Sequence, residues 1–391
     1  MAETERKRLP ALFDAFGFAV EASIHDAGLR HTLPIASAIV ALPLPPTSRQ
    51  HPDRQDLGLK AVGDSSVQVS SERAAKRPAN WVRKLNALHT ALTPALLARD
   101  AVLLPGPSPF APWAQDSDCP ASFTSGLRID LHFAREADFG RLHAAVRMVL
   151  PLLPALSAST PFRDGRATGF HSTRLRACID LYDRHPERVG AFVPEPVFDP
   201  ADHDREVLSP IARSTSTGKR GEAPDAQTLN LRCATAHLDQ GIISIHGIDA
   251  QENPAADMAV TEFTSAVLRA LVAGRWSSNY LQRAWSSEDL MSVMQATIRD
   301  GSRATIANRD YLFMLGMLKQ DRVPAGELLK HLFVELYSEL SENARGHVGV
   351  IIEQGCLAAR MLARVGKRPG AERIRNVCAQ LAACRTAGPF V

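Results

Sequence analysis

The chain has 391 residues, 45% of them hydrophobic, 22% charged and 6% aromatic, which is enough apolar material for a sizeable core. Its 45 basic and 42 acidic residues leave a formal net charge of only +3. That balance, with few aromatics, gives no reason to expect a nucleic-acid partner or an anionic membrane, so any anion site must be local.

In chain order, FGFAVEASIHD (16–26) and RHTLPIASAIV (30–40) read as two short strands joined at a glycine-containing turn. Residues 43–80 are rich in Pro, Ser, Asp and Arg, so part of this stretch is expected to be a mobile loop; only LKAVGDSSVQVSS suggests further strand. Trp81, Leu85, Leu88, Leu92 and Leu96 share one face of a helix predicted over Trp81–Arg99. LLPGPSPFAPW then reads as a rigid proline-rich loop. LRIDLHF (127–133) alternates as a strand that puts Arg128, Asp130 and His132 on one face, a candidate ligand-facing row. Helices are expected over Ala137–Leu153 and Ser172–Asp183, and a strand pair over Thr228–Cys233 and Gly241–Ile248. Beyond Pro254 the periodicity is helical, over Met258–Val272, Ser287–Arg299, Pro324–Leu340 and His347–Val365. There is no internal repeat, and the interleaving of elements predicts one compact α+β domain over 1–391, sheet-rich at about 16–250 and buttressed by helices at about 255–391.

Composition also bears on the compartment. Apolar runs such as Met148–Leu156, broken by Pro151 and Pro154, are shorter than the roughly 20 residues of a spanning helix. The start MAETERKRLP leads into no signal core. Cys119, Cys178, Cys233, Cys356, Cys378 and Cys384 have neither disulfide-framework nor zinc spacing, which suits a reducing cytoplasm.

The densest chemistry lies in LPLLPALSASTPFRDGRATGFHSTR (150–174). Ser157, Ser159 and Thr160 supply hydroxyls, Pro161 stops a helix, Gly165 and Gly169 allow close backbone approach, and Arg163, Arg166 and Arg174 supply positive charge. The combination points to an anion. This wording resembles the carboxylate-amine ligase branch of the glutamate-cysteine ligase superfamily, with its Ser-Ala-x-Ser/Thr-Pro, Gly-Arg/Lys-x-Thr-Gly and trailing Arg pattern. LFDAFGFAVEASIHDAGLRHTLPIA, EPVFDPADHDREVLSPI, IDAQENPAADMAV and EQGCLAARML resemble further blocks of that family in the same order.

The resemblance implies a curved antiparallel sheet forming a funnel backed by helices, similar to glutamine synthetase. It also implies ATP- and magnesium-dependent joining of a glutamate-like acid to an amine through an acyl phosphate. It gives Arg166, Arg174 and Arg232 the catalytic role of holding phosphate or carboxylate. Ser159, Arg166, Asn230 and Arg232 would contact the nucleotide, Arg128, His132 and His246 the substrate, and Glu21 the metal. The partner implied is a small amino-acid substrate, with a homo-oligomer or a paired paralogue as the protein partner.

The departures are concentrated where metal would bind. The family's Glu-x-Glu strand falls on Ala19 and Glu21; its Glu-Leu-Lys strand end is replaced by QVSSERAA, with Glu72 shifted; its Glu-x-Arg falls on Ser244 and His246; and its Trp-Leu-Asn-x-Arg loop is TLNLR (228–232). Arg166, Arg174, Asn230, Arg232, Asp249, Glu252 and Asp257 match. Asp249, Glu252 and Asp257 also suit the start of the helix after Pro254, where acidic side chains are stabilising without metal. His132 and His246 equally suit ordinary strand positions, and Cys178, Cys233 and Cys356 suit buried small hydrophobes. Two functions follow, of different class: an ATP-dependent ligase, or a non-catalytic descendant that binds a small anion or pairs with an active paralogue.

Overall fold

A computed structural model describes residues 11–42, 56–74, 76–111, 125–215, 225–367, 369–385 and 390. The fold begins with an eleven-residue strand, β1 (Phe16–Asp26), and is α+β around an antiparallel sheet of seven strands. The second expected strand is instead a turn and a short helix, α1 (Ala36–Val40), because Pro34 interrupts the extended run and the Leu33 N–H is bonded back to the Ile24 carbonyl. Strands β2 (Leu57–Val62) and β3 (Ser66–Ser71) form a hairpin within the segment expected to be loop-rich; the rest of that expectation, 43–55, lies outside the described residues. The amphipathic helix is α2 (Asn80–Leu97), with the five stripe residues buried.

Residues expected as proline-rich loop open with a strand, β4 (Ala101–Pro105), before the prolines take over. β5 (Leu127–His132) follows, then α3 (Glu136–Val149) and α4 (Leu153–Ser157), linked by a turn of 3-10 helix at Pro151. The stretch Glu136–Ser157 is long and apolar enough to cross a membrane by composition, and 94% of its apolar window is buried inside the fold. Here it is a core helix pair. A small hairpin, β6 (Phe162–Arg163) and β7 (Arg166–Ala167), precedes α5 (Thr173–Ile179).

The expected strand at 228–233 is corrected to a short helix, α6 (Ala226–Leu229), followed by β8 (Ala234–His237), which pairs with β9 (Ile242–Ile248). From there the chain is mainly helical: α7 (Pro254–Val272), α8 (Ser287–Asp300) and α9 (Ala325–Leu336) match the periodicity. The expected helix 347–365 is two, α10 (Glu342–Gln354) and α11 (Leu357–Val365), broken at Gly355, whose φ of +89° ends the first. A helix not expected, α12 (Ala371–Ala383), closes the chain.

The sheet order is β2-β3-β1-β5-β9-β8, with β4 on the second half of β1. Alternation divides β1: Phe16, Phe18, Val20, Ala22 and Ile24 enter the main core, with Phe18 edge-on to Trp81 of α2 at 5.3 Å. Gly17, Ala19, Glu21, Ser23 and His25 point to the opposite face. Register carries that face across the sheet, since Ala19 lies opposite Arg128 and Ser70, Glu21 opposite Gln68, and Asp130 opposite Ser244. Apolar side chains fill one side, while the other is largely polar where β1, β5 and β9 meet and passes, at Val102 and Leu104 of β4, into a second apolar cluster.

Candidate functional site

β1 carries the site because two strands share its flank. β5 pairs with residues 16–20 and β4 with 23–26, and the handover falls at Glu21. There the Glu21 N–H donates to the Gly126 carbonyl at 3.3 Å and the Gly106 N–H donates to the Glu21 carbonyl at 3.0 Å. Glu21 itself is 1% exposed and faces the polar side.

Beside it, Arg128, Asp130 and His132 alternate out of β5 as expected. Arg128 Nε lies 2.9 Å from Asp130 Oδ1, and Ser244 Oγ donates to the same oxygen at 2.6 Å. Gly17 makes room, because a β-carbon there would stand 3.1 Å from Asp130 Cβ. A second chain of hydrogen bonds begins at β8: Gln227 Oε1 lies 3.0 Å from His237 Nδ1, and Thr235 Oγ1 lies 3.4 Å from His237 Nε2 and 3.0 Å from His246 Nε2. Burial first, then the nearby Arg128, holds the His246 pKa well below the usual imidazole range; burial also lowers His237. The His246 and His237 rings are neutral donors and acceptors, not fixed cations. His132 Nδ1 is bonded to the Ala15 carbonyl at 3.3 Å.

The other sequence candidates are placed differently. Arg174 is fully buried: Nε donates to Asp249 Oδ1 at 2.6 Å, and Nη2 to the carbonyls of His246 at 3.0 Å and Ile248 at 2.9 Å. Gly126 admits it, since a β-carbon would sit 2.8 Å from the guanidinium carbon. Asp249 also accepts the Ser159 N–H at 2.9 Å and the Thr160 hydroxyl at 3.0 Å, while Ser159 Oγ donates to the Ala250 carbonyl at 2.7 Å. Arg232 makes a forked pair with Glu195, 2.6 Å on each arm, and Asn230 Oδ1 accepts from its Nη1 at 3.2 Å. A phosphate at Arg174 or Arg232 would have to displace a carboxylate already in place.

Arg166 is exposed on the β6–β7 hairpin, opposite Arg163. Glu72 is exposed just beyond β3. Glu252 holds Arg360 at 3.0 Å, and Asp257 Oδ1 accepts the Gln251 N–H at 2.7 Å; the residue capping α7 is Asn253, through Ala256 N–H. Of the set, β-strand alternation brings Glu21, Arg128, His132 and His246 to one face. Arg174, Ser159, Asn230 and Arg232 brace the loops around it. Sequence spacing missed Gln68, Thr235, His237, Gln227 and Glu195; only the alternation of β8, once its register is known, could have found Thr235 and His237.

The donor set does not fit magnesium. That ion takes near-octahedral oxygen ligands led by carboxylates, whereas Ala19 offers a methyl group, the Ser244 hydroxyl is given to Asp130, and Asp130 is paired with Arg128. Among the described residues no group of three His, Cys, Asp or Glu side chains could hold a metal ion.

The chain is α+β, built on a seven-stranded antiparallel sheet whose β1–β5–β9 face carries polar side chains. The model of glutamate-cysteine ligase family 2 matches residues 119–380, and the chain belongs to that family. An uncharacterized protein of Archaeoglobus fulgidus is 22% identical over 260 residues, 66% of this chain and 62% of that protein. A bifunctional glutathione synthetase from Pasteurella multocida superposes with a TM-score of 0.53 at 12% identity, covering 95% of this chain and 52% of that one. A glutamate–cysteine ligase of Francisella tularensis in complex with AMP covers 96% of this chain and 90% of its own, with a TM-score of 0.45 at 10% identity. The chain thus spans about half of the Pasteurella enzyme and less than two thirds of the Archaeoglobus protein.

Proposed function

We propose that this chain is a non-catalytic member of its family, which binds a small amino-acid-like acid on the polar face of the sheet without carrying out acyl-phosphate chemistry. The observation that supports this is the Arg128–Asp130–Ser244 network, which occupies the ground where a phosphoryl-transferring site needs unpaired carboxylates. Arg128, its side chain 38% exposed, is the cation available to an incoming carboxylate. His246 supplies a neutral hydrogen-bonding group where an arginine would have been a fixed charge, and His132 is a further imidazole on the same face.

The second reading is a working ATP-dependent ligase with Glu21 on the metal, favoured by the burial of that carboxylate on the polar face beside Gln68. ADP release separates the two. With ATP, magnesium, glutamate and a panel of amines, the wild-type protein should release no substrate-dependent ADP, while calorimetry should detect an amino acid whose binding is indifferent to magnesium and lost in Arg128→Ala. Substrate-dependent ADP release would remove the non-catalytic reading. The triple variant Ala19→Glu, Ser244→Glu, His246→Arg should gain magnesium binding before any turnover.

A further inference from the structure

At the β8–β9 end of the polar face, one threonine hydroxyl stands between two histidine rings. Thr235 Oγ1 lies 3.0 Å from His246 Nε2 and 3.4 Å from His237 Nε2, and the other ring nitrogen of His237, Nδ1, lies 3.0 Å from Gln227 Oε1. Pairing of the two strands fixes the spacing, with Thr235 opposite Ser244 and His237 opposite Ile242. Thr235 is 4% exposed, so water has little access and the single hydroxyl proton is shared out within the chain of side chains.

The direction of each bond follows from the number of protons present. An amide oxygen only accepts, so His237 Nδ1 carries its ring proton toward Gln227. Burial lowers the His237 pKa and keeps the ring neutral, which makes Nε2 its lone pair. If the Thr235 proton went to His246, the oxygen of Thr235 and Nε2 of His237 would face each other across 3.4 Å as two lone pairs. Given to His237 instead, it leaves the Thr235 oxygen to accept from His246 Nε2–H at 3.0 Å, an ordinary N–H···O length. Only this second arrangement satisfies both contacts. Burial holds His246 neutral as well, so a proton on its Nε2 means none on its Nδ1.

We propose that Gln227, His237 and Thr235 are positioning residues that fix His246 as the Nε2–H tautomer, with Nδ1 as a hydrogen-bond acceptor. Any group that meets Nδ1 then has to be a donor. Arg128, on the neighbouring strand, offers donors alone, and Ile129 stands opposite Ile245, so the two strands carrying these side chains run about 5 Å apart. A donor site beside an acceptor site suits an acid with a hydrogen-bond donor next to its carboxylate: an α-amino acid, with its carboxylate on Arg128 and its amino group on His246. A diacid lacking the amine would set a lone pair against Nδ1. This preference rests on the binding role proposed for the face, whereas the tautomer is independent of it.

Nitrogen NMR of labelled histidines in the full chain, without ligand, reads the tautomer, the His246 signals being those missing in His246→Gln. His246 should be protonated at Nε2 and bare at Nδ1. Thr235→Val, which keeps the shape and removes the hydroxyl, should leave the ring a mixture of tautomers, and Thr235→Ser should restore the single form. Gln227→Lys, which can only donate, should reverse the chain and move the His246 proton to Nδ1. A wild-type ring protonated at Nδ1, or one indifferent to Thr235→Val and Gln227→Lys, would overturn the proposal. Calorimetry tests the ligand: L-glutamate should bind about tenfold more tightly than glutarate, the scale of one hydrogen bond, and Thr235→Val should lose that preference. Equal binding of the two acids would remove the preference for an amino acid. Binding of neither, with the tautomer as expected, would count against the binding role of the face and leave the histidine chain intact.

Discussion

Two arginine–aspartate pairs of similar length have opposite meanings for the protein. Arg174 and Asp249, 2.6 Å apart, are each 1% exposed, whereas Arg128, 2.9 Å from Asp130, is 38% exposed. Breaking a buried pair leaves a carboxylate without its counter-charge, so Arg174→Ala should lower unfolding free energy by roughly 3–5 kcal/mol, read by urea denaturation. Arg128→Ala should change stability by less than about 1 kcal/mol, because water already screens that pair, while removing the proposed ligand contact. If Arg174→Ala were neutral in stability, Asp249 would be reaching solvent and the loop bracing described here would be wrong. Sequence pattern could identify all four residues as functional candidates but not divide them. The partners of Arg174 and Arg232 lie 75 and 37 positions away, and nothing local in the chain announces them.

Elements were legible in proportion to how much of their pattern is local. β1, α2 and β5 follow directly from alternation or helical spacing. β4 did not, because Ala101–Pro105 is an apolar run without polar alternation, followed by prolines. TLNLR alternates like a strand, yet the Arg232–Glu195 fork and the Asn230 turn hold it otherwise, a tertiary pairing that overrides local preference. The break between α10 and α11 was hidden in a continuous apolar periodicity and depends on one residue. At Gly355 an added β-carbon would stand 3.1 Å from Ala359 Cβ and 3.2 Å from Ser302 Oγ, at a φ of +89° that side chains avoid. Gly355→Ala should therefore cost at least about 1 kcal/mol of stability, measured by denaturation, despite the usual gain from replacing glycine. A stabilised variant would mean that the two helices can join as one, the arrangement the periodicity alone suggests.

Across the whole molecule, folding withdraws several histidines from water. Burial lowers His25 and His203 to a pKa of about 4 and His89 and His143 to about 3, and holds His246 well below its ordinary value. These rings come from β1, the connection after α5, α2, α3 and β9, so the effect belongs to the assembled fold and not to one element. Each has a folded pKa below the unfolded value near 6.5. Its contribution is therefore complete above about pH 6.5 and is lost as pH falls toward 4, because the unfolded chain then binds the extra protons. Asp257 works the other way: burial raises it to about 7, so its contribution is present at low pH and lost as pH rises through 7. One carboxyl opposes several imidazoles, and the imidazoles should win. Unfolding free energy, measured in urea at steps from pH 7.5 to 4.5, should fall as pH falls through 6, with a slope of up to about 1.4 kcal/mol per pH unit for each proton taken up. His25→Asn should reduce that slope by about one proton, since the His25 ring is buried and hydrogen-bonded to Ser23 at 3.1 Å. A flat profile between pH 7 and 5 would show that these rings titrate freely, which the burial of His25, His89, His143 and His203 does not allow.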